Sequence, residues 1–328
     1  MVLSTVERAR FGNLRAAPNH RLGEVVEILR ERSRDFHDEV VDVRDVGMNA
    51  YSGSLQLGKE QVELQPWALS QLGAKLGIPG NYLAKCEPSL RAQNVNHWLN
   101  QESGKLLLRM DGGQVRAVLS TRYQSVSNDD LAVALASALP EETPVRFELT
   151  ETRFELQVIG ESGMQVDLLH RGLHVTNSEV GAASVSLSAL IYRTVCLNGL
   201  IMGRGSYTFA RRHIGRVDLN LAVHGEVSRL LDASGEAAGQ FQGLLGVKMP
   251  DQLKALERVV ERYELTKDQG QAMVNAFNFE PGETLFHTVN AVTRAGNDEG
   301  LSLDHRRELQ EVGGRLLALA QQGTRWLD

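Results

Sequence analysis

The chain has 328 residues, 42% of them hydrophobic and 23% charged, with a formal net charge of −6. This composition supports a globular protein with a substantial core in one or two domains, and it excludes a generally basic nucleic-acid coat, though not a local basic groove. No apolar run approaches the roughly 20 residues of a membrane span, the N-terminus lacks a signal-peptide core, and Cys86 and Cys196 lack metal-like spacing, so a cytoplasmic protein with buried thiols is expected.

Residues 1–19, with Arg8, Arg10 and Arg15 near Gly12 and Pro18, read as a loosely tied arm. Leu22, Val25, Val26 and Leu29 recur at helical spacing, which predicts an amphipathic helix over 21–33. Val40, Val41, Val43 and Val46 suggest a strand, and a loop or hairpin partner follows before Val62 and Leu64 alternate. From Pro66 the stripe Ala68, Leu69, Leu72 and Leu76 is helical, Gly77-Ile78-Pro79-Gly80 breaks it, and one or two short helices follow. This unit imitates a helix-turn-helix, but QPWALSQLGAKLGIPGNYLAK holds only Lys75 and Lys85 as cations, so packing on a sheet is the expected role.

Residues 105–110 and 114–120 flank Asp111-Gly112-Gly113 and make the clearest hairpin signal in the chain. Val115, Ala117 and Leu119 share one face, which leaves Arg116 on the other. Ser127 or Asn128 then caps a helix that Pro140 ends. Residues 145–149 and 153–159 alternate in the same way around Thr150-Glu151-Thr152, and strands return at 164–169 and 173–175. Ser184 to Ala189 alternate again, giving a mainly antiparallel sheet of about five to seven strands. Residues 193–197 either extend that last strand or form a short helix, and Asn198-Gly199 suits left-handed backbone. After Arg216, apolar stripes at helical spacing continue to Leu319. The fold class expected is therefore α+β: a hairpin-built antiparallel sheet with packed helices, then a helical C-terminal third. The chain divides into 1–100, 101–216 and 217–328, the last either separate from the sheet core or continuous with it.

Charge supplies the functional signal. Between Val180 and Val217 no acidic residue occurs, although 41 Asp and Glu in 328 residues would put about five in such a window. Arg193, Arg204, Arg211, Arg212 and Arg216 all lie inside it. A guanidinium presents a planar fork of donors matched to phosphate oxygens, so these arginines are candidate phosphate contacts. Arg109, Arg116 and Arg122 would extend the groove, with Tyr123, Tyr207 or Phe209 stacking on bases; core packing is the competing role for each ring. The reading requires the five guanidinium groups of the window to line one accessible wall. Catalytic motifs are missing: no Walker loop, dinucleotide fingerprint or nucleophile elbow is present, so no catalytic residue and no cofactor are assigned. His170 and His174 share a strand face without a further ligand nearby, so exposed strand histidines are expected in place of a metal site.

The segments VTNSEVGAASVSL, YRTVCLNGL, VRAVLSTRYQSVSNDDL and TLFHTVNAVTRAGN, spread over roughly Leu106 to Asn297, resemble a family of phage- and plasmid-encoded proteins known only as domain of unknown function 932. Occurrence on mobile elements implies work linked to DNA. Only at the level of hairpin, sheet and helix does the chain also resemble single-strand annealing proteins of recombination, which is an analogy of architecture. The function expected is an oligomeric protein that binds or anneals single-stranded DNA. Two alternatives stand beside it: a protein-binding scaffold of a phage or plasmid, and a DNA-processing hydrolase whose clustered carboxylates would sit beside the basic patch.

Overall fold

A computed structural model describes residues 14–15, 20–164, 169–193, 197–203, 207–215 and 218–322. The fold is α+β, with two sheets rather than one, each with its own core.

The first sheet has six strands in the order β3-β7-β8-β6-β5-β4: β3 (Phe36–Asp42), β4 (Val46–Met48), β5 (Leu55–Leu57), β6 (Glu60–Leu64), β7 (Lys105–Asp111) and β8 (Gln114–Ser120). The β7-β8 hairpin turns on Gly112 at φ 55°, a conformation that needs no Cβ. All pairings are antiparallel except β6 with β8, where Glu63 lies opposite Gln114. Helices α2 (Pro66–Lys75), α3 (Gly80–Lys85) and α4 (Pro88–Leu99) cover this sheet. Leu69, Leu72, Val95 and Leu99 pack on Leu106, Leu108 and Val118 in one buried cluster. The helix-turn-helix look of this stretch is therefore the sheet packing that its few cations imply.

The second sheet orders β1-β9-β10-β11-β12-β13, with β2 beside β9 and β14 beside β12. Its strands are β1 (Leu14–Arg15), β2 (His20–Arg21), β9 (Pro144–Leu149), β10 (Phe154–Met164), β11 (Leu169–Asn177), β12 (Val185–Arg193), β13 (Asn198–Met202) and β14 (Thr208–Arg211). Strand β12 serves two partners along one edge: Val185–Ser188 pair with β14 and Ala189–Arg193 with β13. Phe147, Leu156, Val175 and Leu187 share one core with helices α1 (Leu22–Arg32), α5 (Asn128–Ala138), α6 (Leu219–Gly243), α7 (Gln252–Tyr263), α8 (Lys267–Phe279), α9 (Leu285–Ala295) and α10 (Leu303–Gln321).

The cores do not follow the divisions 1–100, 101–216 and 217–328. The β7-β8 hairpin packs with residues 43–99, whereas α1 and the helices after 217 join the core of the second sheet. A hairpin is a local signal, but which sheet it enters depends on β3, its non-local partner. The open reading at 193–197 resolves in part: the strand continues to Arg193, and residues 194–196, with Cys196, lie outside the described residues. The left-handed residue is Leu197 at φ 53°, not Asn198 or Gly199, which begin β13. Gly199 serves close packing, since a Cβ there would sit 2.8 Å from Leu190 Cδ1. Cys86 is buried and free. No helix among the described residues is long and apolar enough to cross a membrane.

Candidate nucleic-acid interface

Strand β14 sets Phe209 opposite Leu187 and Arg211 opposite Val185. Phe209 and Tyr207 lie half-buried against the core. Beyond β14 the chain turns back over residues 123–124. The Ile214 amide donates to the Arg212 carbonyl at 2.8 Å, the Gln124 amide to the His213 carbonyl at 2.8 Å, and Ile214 bridges to Tyr123. Gly215 takes φ 77° and completes the turn. Between this turn, residues 124–126 and the first turn of α6 lies a cavity of about 220 Å³, lined among others by Val126, Phe209, Arg211, Arg212, His213 and Leu219. No carboxylate among the described residues lines it. The start of α6 contributes the positive end of its dipole, partly answered by Asp218, whose carboxylate accepts the Leu221 amide at 3.0 Å.

One wall is braced by a ring pair. His213 stacks on Tyr123 with centroids 4.9 Å apart and planes 16° apart. The Tyr123 hydroxyl is aimed at the carbonyls of Ser178 (2.9 Å) and Glu179 (3.2 Å), and burial pushes its phenol up to about 12. Burial likewise holds the His213 imidazole below its ordinary range, with the Arg109 charge adding to it, and Nδ1 faces the Gln124 carbonyl at 3.2 Å. Tyr123 is thus a support of the site and its ring face is occupied; of the three rings expected to stack on bases, Phe209 is the one at the cavity wall.

The arginines divide by burial. Arg122, Arg211 and Arg212 are exposed. The bridge from Tyr123 to Ile214 brings Arg122 beside Gly215, and Arg211 Nη2 reaches within 3.9 Å of where a Gly215 Cβ would stand. Neither Arg122 nor Arg212 forms an ion pair among the described residues. Arg204 and Arg216 lie outside the described residues. The other three expected contacts are corrected. Arg193 is 5% exposed and grips Glu280 with both terminal nitrogens at 2.6 and 2.8 Å. It stands at the far end of β12 from Arg211, eight residues or roughly 26 Å along the strand. Arg109 is 7% exposed and donates to Asp38 (2.8 Å) and the Glu179 carbonyl (2.7 Å). Arg116 is 3% exposed and donates to Glu151 (2.7 Å) and Glu179 (3.1 Å). Arg116 keeps the face opposite Val115, but the β-bulge at Arg116, where Arg109 pairs with Ala117 and Met110 with Val115, brings Val118 onto the Val115 face in place of Ala117 and Leu119, and Arg116 is buried because Phe36, Glu151 and Glu179 cover its side of the sheet.

Glu179 is the residue that sequence reasoning missed. It stands at the edge of the acid-free window, and only the fold reveals what it joins. Its carboxylate accepts from Arg116 and from the Asn128 amide (2.8 Å), and its carbonyl from Arg109 and Tyr123. Arg32 extends this network to Asp111 and Glu151, and the Arg116 guanidinium lies 3.7 Å over the Phe36 ring. A cavity of about 240 Å³ borders these groups, with more carboxylates than guanidinium groups in its lining, so it does not attract anions. His174, expected on an exposed strand face, is buried 3.5 Å from Glu155. Burial pushes the Glu155 carboxyl up, but His174, Arg307 and Arg153 outweigh it and hold the group below its ordinary range. No group of three or more His, Cys, Asp or Glu with metal-holding geometry occurs among the described residues.

A family model described as domain of unknown function (DUF932) matches residues 115–312, from β8 to α10. No curated protein and no solved structure matches the chain.

Proposed function

The chain belongs to the family described as domain of unknown function (DUF932), and we propose that it binds single-stranded DNA at the β14 edge, as a cytoplasmic oligomer whose copies align strands for annealing. The observation that carries this reading is the cavity in which Phe209 meets Arg211 and Arg212 and which no carboxylate among the described residues lines. A nucleic-acid groove needs cations for the backbone and an apolar or aromatic wall for bases; both are present within one turn of chain. The footprint is shorter than the arginine count implied, because Arg109, Arg116 and Arg193 are committed to carboxylates. A phosphate contact by each of Arg122, Arg211 and Arg212 gives a slope of log affinity against log salt of about −2. Mobility-shift titration with single-stranded oligonucleotides across a salt series tests this. Binding with that slope, lost in Arg211→Glu/Arg212→Glu, supports the reading, and absence of binding at low salt overturns it.

Exposed Ile214 and Leu221 near the cavity favour one second reading, a protein partner docked on the same edge. A partner that co-purifies after nuclease treatment, while the purified chain ignores DNA, would decide for that scaffold role.

A further inference from the structure

We propose that the cavity behind β14 accepts a single unstacked base, with the flanking phosphates held by Arg211 and Arg212 at its mouth. This rests on the reading of the β14 edge as a single-stranded-DNA site and goes beyond it, because a purely electrostatic groove would bind the sugar-phosphate chain and leave the bases outside.

Size is the first support. The cavity of about 220 Å³ far exceeds the ~10–15 Å³ that one water needs, so it has room for a planar heterocycle. Chemistry is the second. Phe209, Val126 and Leu219 provide the apolar wall, and the cationic side chains stand on the same turn. A base with its phosphate has this division, apolar faces attached to an anion. The third support is the surface outside: Ile214 is 60% and Leu221 74% exposed, two large apolar side chains beside the cavity that contact with sugar or a neighbouring base would cover. A base paired in duplex cannot enter without leaving its stack, at a cost of a few kcal/mol. The cavity therefore selects single strands by shape, whereas the arginines alone would not.

The test compares two strands of equal length and charge on the full chain: oligothymidylate, and an oligomer whose sugars carry no base. Base capture predicts that oligothymidylate binds roughly 5- to 150-fold more tightly, the factor associated with one stacked base. Phe209→Leu, which keeps an apolar side chain on β14 but removes the ring, reduces that preference while leaving the base-free strand unaffected. If both strands bind equally to the wild-type chain, base capture is wrong and the electrostatic reading survives. If neither binds at low salt, the single-strand reading itself falls. A base preference that Phe209→Leu leaves intact overturns this cavity as the site. The wild-type comparison does not depend on whether the variant folds.

Discussion

Arg193 and Arg212 come from the same acid-free window, yet their replacement should have opposite consequences. Arg193→Met keeps the aliphatic stem but leaves Glu280 without the two bonds at 2.6 and 2.8 Å and removes the cation 5.3 Å from the Phe286 ring. Breaking a buried pair by removing one partner costs about 3–5 kcal/mol. Glu280 retains the Asn290 side-chain amide at 2.9 Å and is 26% exposed, so water takes up part of the loss and about 2–3 kcal/mol is expected. Unfolding entropy of about 2.1 cal/mol/K per residue over 328 residues is ~0.7 kcal/mol/K, which converts that cost to a thermal midpoint about 3–4 °C lower. Oligonucleotide affinity should not change. Arg212→Glu reverses an exposed charge and should leave the midpoint within about 1 °C, because surface substitutions cost within ±0.5 kcal/mol, while weakening binding. Thermal melting and fluorescence anisotropy on the same preparations check both halves. Loss of binding by Arg193→Met at an unchanged midpoint would refute the assignment of Arg193 to the core.

Glu179→Gln retains an acceptor for the Asn128 amide but faces the Arg116 guanidinium with an uncharged amide, and about 3 kcal/mol of destabilisation is expected in urea, since Arg116 loses one of its two carboxylate partners among the described residues; a loss below about 1 kcal/mol would mean that Glu179 does not hold Arg116 as described. His213 adds a pH dependence: its folded pKa lies below the ordinary 6.5, so the unfolded chain takes up the proton first, and stability falls as pH drops from about 6.5 to the folded value and levels off below it. His213→Phe should flatten that part of the stability profile. Tyr123 acts at the other end: its phenol titrates at about 12 against an ordinary 10.0, so the unfolded state loses its proton first and stability falls between those values. Burial pushes the Tyr192 phenol up as well, so tyrosinate absorbance should show late titration from both, of which Tyr123→Phe removes one group. Gly314→Ala would put a methyl 2.1 Å from the Ile201 carbonyl, where α10 crosses β13, and should cost more than the roughly 1–3 kcal/mol of ordinary overpacking, measured by chemical denaturation.

The local elements were legible from the chain because their causes are local. Period-two alternation at 145–149 and 185–189, the Gly112-Gly113 turn and the helical stripes after residue 217 each depend on neighbours a few positions away, and each appears at the expected place. The acid-free window was also readable, and it does contain the turn that carries Arg211 and Arg212. What remained hidden was set by distant partners. An arginine on a strand has the same sequence signature whether it meets water or a carboxylate 87 residues away, as Arg193 meets Glu280. The bulge that puts Val118, and not Ala117 or Leu119, on the Val115 face arises from register between two strands, where a shift of one residue exchanges the faces. Partition into two sheets depends likewise on β3 pairing with β7 across 62 intervening residues or more. Composition and periodicity thus determined the elements and the sign of the local charge; burial, a property of the assembled chain, decided which of those charges face solvent.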